Sequence, residues 1–211
     1  MAGCCGNGVR FEGVSDDYKR RLRIVIALNA AMFAVEMAAG QLARSQALMA
    51  DALDFLGDAV TYGISLAVIG ASIRARTNAA LAKGIGLFLM GAWVLGSTIY
   101  RVIHVGVPEA EIMGIVGALA LATNLASVSL LLGYKDGDAN VRSVWLCSRN
   151  DAIGNVAVMV AALGVWGSAT GWPDLVVAAI MAALFLSSSF QILRQALEER
   201  REGIEPGRHA A

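Results

Sequence analysis

Long apolar stretches alternate with short polar joints along the whole chain. The joints carry Gly, Pro, Asn, Asp and basic residues, which are typical of turns between helices. A helix needs about 20 apolar residues to cross a bilayer. Six stretches reach that length, at about 22–42, 46–72, 80–103, 110–134, 143–167 and 173–194. Because the joints are short, neighbouring helices should pack antiparallel, and the pattern predicts an all-α membrane protein with six transmembrane helices.

Composition supports the same fold class. The chain has 211 residues, of which 57% are hydrophobic and 16% are charged, and its mean hydropathy is +0.61. Soluble domains contain about 25% charged residues, so a separate soluble domain is not expected. The predicted organisation is an N-terminal cytoplasmic tail at 1–21, a six-helix transmembrane domain at 22–196 and a short C-terminal cytoplasmic tail at 197–211.

The basic residues predict an orientation. Lys and Arg collect on the cytoplasmic side of membrane proteins, and in this chain one side of the predicted bundle receives only Arg44 and Arg101. The other side receives Arg10, Lys19, Arg20, Arg21, Arg23, Arg74, Arg76, Lys83, Lys135, Arg142, Arg194, Arg200, Arg201 and Arg208. Both termini are therefore expected in the cytoplasm, and the short loops and compact length fit a bacterial inner membrane.

Carboxylates interrupt the second apolar stretch. Asp54 and Asp58 are four residues apart, which puts both on one face of a helix, and Asp51 falls on the same face one turn earlier. An ionised Asp in the centre of a membrane helix costs about 2.5–3.5 kcal/mol on an insertion scale. Such a face needs a cation, a proton or a water-filled cavity to explain it. Asp51 lies nearer the outer end of the second stretch. Two roles are open for it: a residue on the exit path of the ion, or a local hydrogen-bond acceptor.

A second polar face occurs in the fifth stretch, where Cys147, Asp151 and Asn155 are spaced by four. If the two helices are antiparallel, Asp54 and Asp58 could meet Cys147 and Asp151 near mid-membrane. Three carboxylates and one thiolate suit tetrahedral Zn²⁺, and the sulfur also makes Cd²⁺ plausible. Asn155 is expected to donate an interhelical hydrogen bond rather than to bind metal directly.

Other polar groups have open roles. Glu36 in the first stretch could hydrogen-bond a neighbouring helix or carry a proton, and Arg149 could neutralise a carboxylate or extend towards the cytoplasm. Cys4 and Cys5 could deliver metal or be incidental. The chain has no P-loop, nucleophile elbow or Gly-rich dinucleotide turn. We therefore expect no enzymatic activity, no cofactor and no nucleic-acid partner.

Aligned in this way, the chain resembles the cation diffusion facilitator family of divalent-metal/proton antiporters over essentially all six helices. The motifs that carry the resemblance are Asn29, Glu36 and Gly40; Ser45-x-Ala47-Leu48-x-Ala50-Asp51-Ala52; Asp54-x-x-x-Asp58; Cys147-x-x-x-Asp151-Ala152-x-Gly154-Asn155-Val156; and Trp172-Pro173-Asp174. The resemblance implies a homodimer that exports metal from the cytoplasm in exchange for protons. It also implies that Asp54, Asp58, Cys147 and Asp151 form the transport site.

The sequence departs from the family pattern in two ways. Cys147 stands where the family usually has His, which leaves zinc, cadmium and cobalt open as substrates. With few residues after the sixth apolar stretch, we also expect the family's cytoplasmic ferredoxin-like domain to be missing. Two other functions stay open: a non-transporting metal sensor or scaffold, and a proton-coupled exporter of organic cations. The last is ranked lowest because only Phe55 and Trp145 supply aromatic groups near the ligand faces.

Overall fold

The computed structural model of the chain describes residues 15–67, 73–104, 106–134 and 139–202, with the backbone alone at 73–77, 79, 139–147, 149–150, 195 and 198–202. The described residues form helices and no strand. The long helices are α1 (Asp16–Ala43), α2 (Gln46–Ala67), α3 (Ile73–Ile103), α4 (Ala110–Leu131), α5 (Ala139–Ser168) and α6 (Trp172–Glu202). A single 3₁₀ turn, Leu132–Tyr134, follows α4.

The all-α membrane fold is confirmed. Segments within α1, α3, α4, α5 and α6 are long and apolar enough to cross a bilayer. Among the described helices α2 fails that test, because Asp51, Asp54 and Asp58 all fall within its 22 residues. That α2 also crosses the membrane, and that both termini face the cytoplasm, stay predictions.

The helix ends differ from the limits of the apolar stretches, and local contacts explain one case. α1 begins at Asp16 rather than near residue 22, because the side chain of Ser15 accepts a hydrogen bond from the backbone N–H of Tyr18 (3.2 Å). α1 ends at a left-handed Arg44, whose φ is 56°. This turn is tight. A Cβ on Gly40 would lie 2.8 Å from Cγ of Met49, so glycine allows α1 and α2 to approach closely.

The bundle divides into two groups of helices. α3 and α6 pack along each other more extensively than any other pair, and α1, α2, α4 and α5 form the second group. Small residues allow the α3–α6 contact: Gly84 lies against Leu193, and Ser189 Oγ donates to the carbonyl oxygen of Gly84 (2.7 Å). The α3–α6 pair meets the other helices mainly through α2 and α5.

Of the three apolar clusters in the described residues, two flank the aspartates of α2, and the third, which includes Phe55, lies beside them. One flanking cluster includes Leu48, Met113 and Phe185, and the other includes Tyr18 and Tyr62. Since Leu48 and Tyr62 stand at opposite ends of the α2 acidic face, the aspartates of α2 lie between the two clusters. Buried polar side chains of α1, α2, α4 and α5 include Asn29, Glu36, Asp51, Asn124 and Asn155.

Candidate metal site

The acidic faces of α2 and α5 meet. The carboxyl group of Asp151 interacts with the carboxyl groups of both Asp54 and Asp58. Asp54 also lies within Coulombic range of Asp58 and Asp51 on its own helix. The structure thus places Asp151 beside both Asp54 and Asp58, and these are three of the four residues that the sequence nominates as principal ligands, although the three are not arranged as a metal-binding group. Carboxyl groups held this close repel when ionised, so a cation or shared protons must compensate them.

The fourth nominated ligand, Cys147, has its backbone but not its side chain among the described residues. Cys147 belongs to α5, one turn before Asp151. The side chain of Arg149 also lies outside the described residues. Among the side chains that are described, no group of three or more His, Cys, Asp or Glu is arranged so as to hold a metal ion. The four-ligand set therefore stays a prediction, as does the role of Cys4 and Cys5, which also lie outside the described residues.

The hydroxyl groups of Tyr62 and Ser148 link Asp58 to α5. Neither residue was predicted from the sequence to belong to the site. Tyr62 donates its hydroxyl hydrogen to Oδ2 of Asp58 (2.5 Å), and the same hydroxyl is 3.2 Å from Oγ of Ser148. Both residues are buried. Helical spacing could have revealed these contacts. Tyr62 is one turn after Asp58 and Ser148 is one turn before Asp151, so each hydroxyl shares a helix face with an acid. This bridge fixes the orientation of Asp58 towards α5.

A lysine stands at the same site. Lys83 of α3 donates from Nζ to Oγ of Ser65 on α2 (3.1 Å), and its charge acts on Asp58. From the sequence, Lys83 was expected among the basic residues on the cytoplasmic side of the bundle. α3 begins at Ile73, so Lys83 lies well within the helix, half-buried against α2. Its position near the start of an apolar stretch concealed this contact.

A second acidic pair lies between α1 and α2. The carboxyl groups of Glu36 and Asp51 interact with each other, and Glu36 is also within Coulombic range of Asp54. Glu36 is 0% exposed and Asp51 is 2% exposed. Among the described residues, neither oxygen of Glu36 nor Oδ2 of Asp51 has a partner at full hydrogen-bonding geometry. The acidic face of α2 thus continues from Asp58 through Asp54 to Asp51 and across to α1.

Buried amides border this acidic face. Asn155 is 0% exposed, and neither its oxygen nor its nitrogen has a hydrogen-bond partner among the described residues. The interhelical hydrogen bond expected of Asn155 is thus not seen there. Asn29 donates to the carbonyl oxygen of Val25 (2.8 Å), while its own oxygen has no partner in the described part of the chain. These amides leave polar atoms available within the bundle.

Asp174 anchors the start of α2. Its carboxylate accepts hydrogen bonds from Ser45 Oγ (2.6 Å), from the backbone N–H of Gln46 (2.8 Å) and from the backbone N–H of Ala47 (3.0 Å). Ser45 Oγ also accepts from the N–H of Leu48 (3.0 Å). An anion at a helix N-terminus is favourable because it meets unpaired N–H groups and the helix dipole. The Ser45 and Asp174 motifs, which the sequence flagged without a role, therefore tie α6 to α2.

A family model described as the cation efflux transmembrane domain matches residues 22–199. The chain belongs to the cation efflux family. The resemblance to the cation diffusion facilitators is thereby confirmed, and this family is one of transporters rather than of enzymes.

Curated bacterial relatives agree with this assignment. The chain is 26% identical to the metal cation efflux system protein CzcD of Cupriavidus metallidurans over 198 residues, covering 88% of this chain and 63% of CzcD. It is 28% identical to the zinc transporter ZitB of Escherichia coli over 204 residues, covering 89% and 64%. A cadmium, cobalt and zinc/H(+)-K(+) antiporter of Bacillus subtilis is 24% identical over 199 residues, covering 88% and 64%. The chain thus spans less than two thirds of these relatives' length.

These matches also bear on location. With five candidate membrane spans and bacterial efflux relatives, the prediction of a multi-pass protein of the bacterial inner membrane is confirmed.

Proposed function

We propose that this protein exports a divalent transition metal from the cytoplasm in exchange for protons. Zn²⁺ is the first candidate substrate, with Cd²⁺ and Co²⁺ next, as the names of the relatives suggest. The observation that carries the proposal is the meeting of Asp54 and Asp58 with Asp151 between α2 and α5. Buried carboxyl groups within a membrane bundle mark ion pathways by default.

The proposed ligands of the transported metal are Asp54, Asp58, Asp151 and Cys147. Cys147 is one helical turn from Asp151, which is the spacing that places two side chains on one face. Three carboxylates and a thiolate form a tetrahedral donor set that suits Zn²⁺ or Cd²⁺ better than the six or more oxygen ligands of Ca²⁺.

Proton exchange follows from the chemistry of these ligands. Carboxylates and thiolates bind metal only when deprotonated, so metal binding releases protons. Without metal, three acids in a low-dielectric site cannot all stay ionised. Metal and protons would therefore compete for one site that opens to each side of the membrane in turn.

The division of the bundle suggests how access could alternate. The α3–α6 pair contacts the remaining helices mainly through α2 and α5, the two helices that carry the proposed ligands. Movement of one group of helices against the other would then change the surroundings of the ligands directly. A homodimer belongs to the same proposal, and it rests on the family resemblance.

Metal uptake into inverted membrane vesicles tests the proposal. We expect uptake of Zn²⁺, Cd²⁺ or Co²⁺ that depends on a pH gradient. Asp58→Ala should lower it by at least about 100-fold, because losing even a supporting partner of a metal ligand costs roughly 10–100-fold in affinity. Glu111→Ala is the matched control, since Glu111 is an exposed acid on the first turn of α4. Cys147→His should change the preference among the three metals.

Two outcomes would contradict the proposal. Uptake that is independent of the pH gradient would exclude proton exchange. An Asp54→Ala protein that aggregates, while the wild type binds metal without moving it, would instead support the sensor or scaffold function, in which the metal holds helices together.

A further inference from the structure

Lys83 is a charged residue in the first turn of the candidate membrane span Ala80–Ile103. The described part of α3 extends ten residues further back, to Ile73, so Lys83 lies on continuous helix. Its side chain is half-buried, so the ammonium group needs a polar partner there. The apolar stretch begins near residue 80, only a few residues before Lys83. The sequence therefore did not indicate that Lys83 contacts another helix.

One partner of Lys83 is a buried hydroxyl on the helix of the metal site. Nζ of Lys83 donates to Oγ of Ser65 (3.1 Å), which is 2% exposed. Ser65 shares one face of α2 with Tyr62 and Asp58, since the three are spaced by three and four residues. Tyr62 in turn donates to Asp58. The ammonium group is therefore held against the face that presents Asp58, and its positive charge acts on that carboxyl group.

We propose that Lys83 is a tethered cation that opposes the transported metal at Asp58 and thereby weakens metal binding. This inference rests on the proposed function and adds a residue that sets the affinity of its site. A fixed positive charge attracts the carboxylate when no metal is bound and repels a dication when one arrives. An export site needs this balance, because a metal held too tightly is not released.

Lys83 and Asp58 lie in different groups of helices, which has a second consequence. Lys83 belongs to the α3–α6 pair, whereas Asp58 and Ser65 belong to α2 in the other group of helices. A shift between the two groups would move the ammonium relative to the carboxyl groups. The metal affinity of the site would then change with its access.

Metal binding by the full chain in lipid nanodiscs tests this inference without requiring transport. The variants are Lys83→Met, which removes the charge and keeps much of the length, and Lys83→Arg, which keeps the charge. Competition with a chromophoric chelator gives the affinity for Zn²⁺ and for Cd²⁺. We expect Lys83→Met to bind both metals tighter by about ten-fold or more, because the repulsion between a single and a double positive charge is lost at short range. Lys83→Arg should bind like the wild type.

Two further variants separate charge from packing. Lys19→Met removes the same charge on the first turn of α1 and should leave the affinity unchanged. Ser65→Ala releases the ammonium from its anchor and should tighten binding by less than Lys83→Met does. If Lys83→Met fails to fold, as judged by size-exclusion chromatography, Lys83→Gln replaces it.

The inference is overturned if Lys83→Met, or its replacement, binds metal with unchanged or weaker affinity, or if Lys83→Arg tightens binding as much as Lys83→Met. Either result would leave the proposed function standing. A wild-type protein that binds none of the metals would overturn the proposed function and this inference together.

Discussion

Two acids within the bundle, Asp174 and Glu36, are equally buried but differently surrounded. Asp174 is 1% exposed and Glu36 is 0% exposed. The oxygens of Asp174 accept three hydrogen bonds, from Ser45 and from the backbone at Gln46 and Ala47. Neither oxygen of Glu36 has a partner at full geometry in the described part of the chain, and its neighbours include the carboxyl groups of Asp51 and Asp54.

The comparison separates structural acids from functional ones. A buried carboxylate whose hydrogen-bonding capacity is satisfied stabilises the fold, and removing it leaves its donors unpaired. A buried carboxyl group that faces other acids contributes little stability, and such groups persist in membranes where they carry ions or protons. By this criterion Asp174 holds the helices together, whereas for Glu36 we expect the proton-carrying role rather than the structural one.

The largest expected effect on stability is that of Asp174→Ala. This change leaves the hydroxyl of Ser45 and two backbone N–H groups without their acceptor, and we expect a loss of about 3 kcal/mol. For a chain of this length the apparent Tm should fall by roughly 10 °C. Thermal unfolding in detergent, followed by tryptophan fluorescence, measures the change.

Asp174→Asn serves as the matched variant, because an asparagine oxygen can still cap the first turn of α2. It should recover part of the lost stability. Equal destabilisation by both variants would mean that the negative charge, rather than the hydrogen bonds, anchors α2.

An intermediate effect is expected for Tyr62→Phe. The hydroxyl bridges Asp58 and Ser148, and its loss should lower stability by about 1 kcal/mol. Metal affinity should also weaken, by about ten-fold, because groups that orient metal ligands commonly contribute that much. Calorimetric titration with Zn²⁺ measures the affinity. Tyr100→Phe is the control, since Tyr100 is 61% exposed, and an equal loss of affinity there would remove the case for the bridge.

Much of the fold could be predicted because it depends on periodicity. Six apolar stretches predicted six long helices, and a spacing of four placed Asp54 and Asp58 on the face that meets Asp151. Helix ends were less predictable, since α1 starts at Asp16 through a contact made by Ser15. A helix can begin with a charged first turn, as α1 does, before its apolar residues start. Hydropathy alone does not predict where such a helix begins.

The rest of the site depends on contacts between distant parts of the chain. Lys83 meets Ser65 only because α3 packs on α2, and Asp174 reaches Ser45 across 129 positions of sequence. The spacing within each helix contains no information about such partners. Lys83, near the start of an apolar stretch, was thus grouped with the basic residues of the cytoplasmic side, and the Trp172-Pro173-Asp174 motif had no assigned structural role.

The smallest effect on stability, and the sharpest test of the comparison, is expected for Glu36→Gln. The side chain has no complete hydrogen bond to lose among the described residues, and the amide removes repulsion with Asp51 and Asp54. Stability should change by less than about 1 kcal/mol, with a gain as the expected sign. Proton-coupled metal uptake into inverted vesicles should nevertheless fall by about ten-fold, equivalent to about 1.4 kcal/mol, because an uncharged amide cannot carry an ion along the α1–α2 face.

Glu111→Gln should change neither property. If Glu36→Gln instead destabilised the protein as much as Asp174→Ala does, Glu36 would be a structural acid, and the distinction between the two buried carboxyl groups would fail.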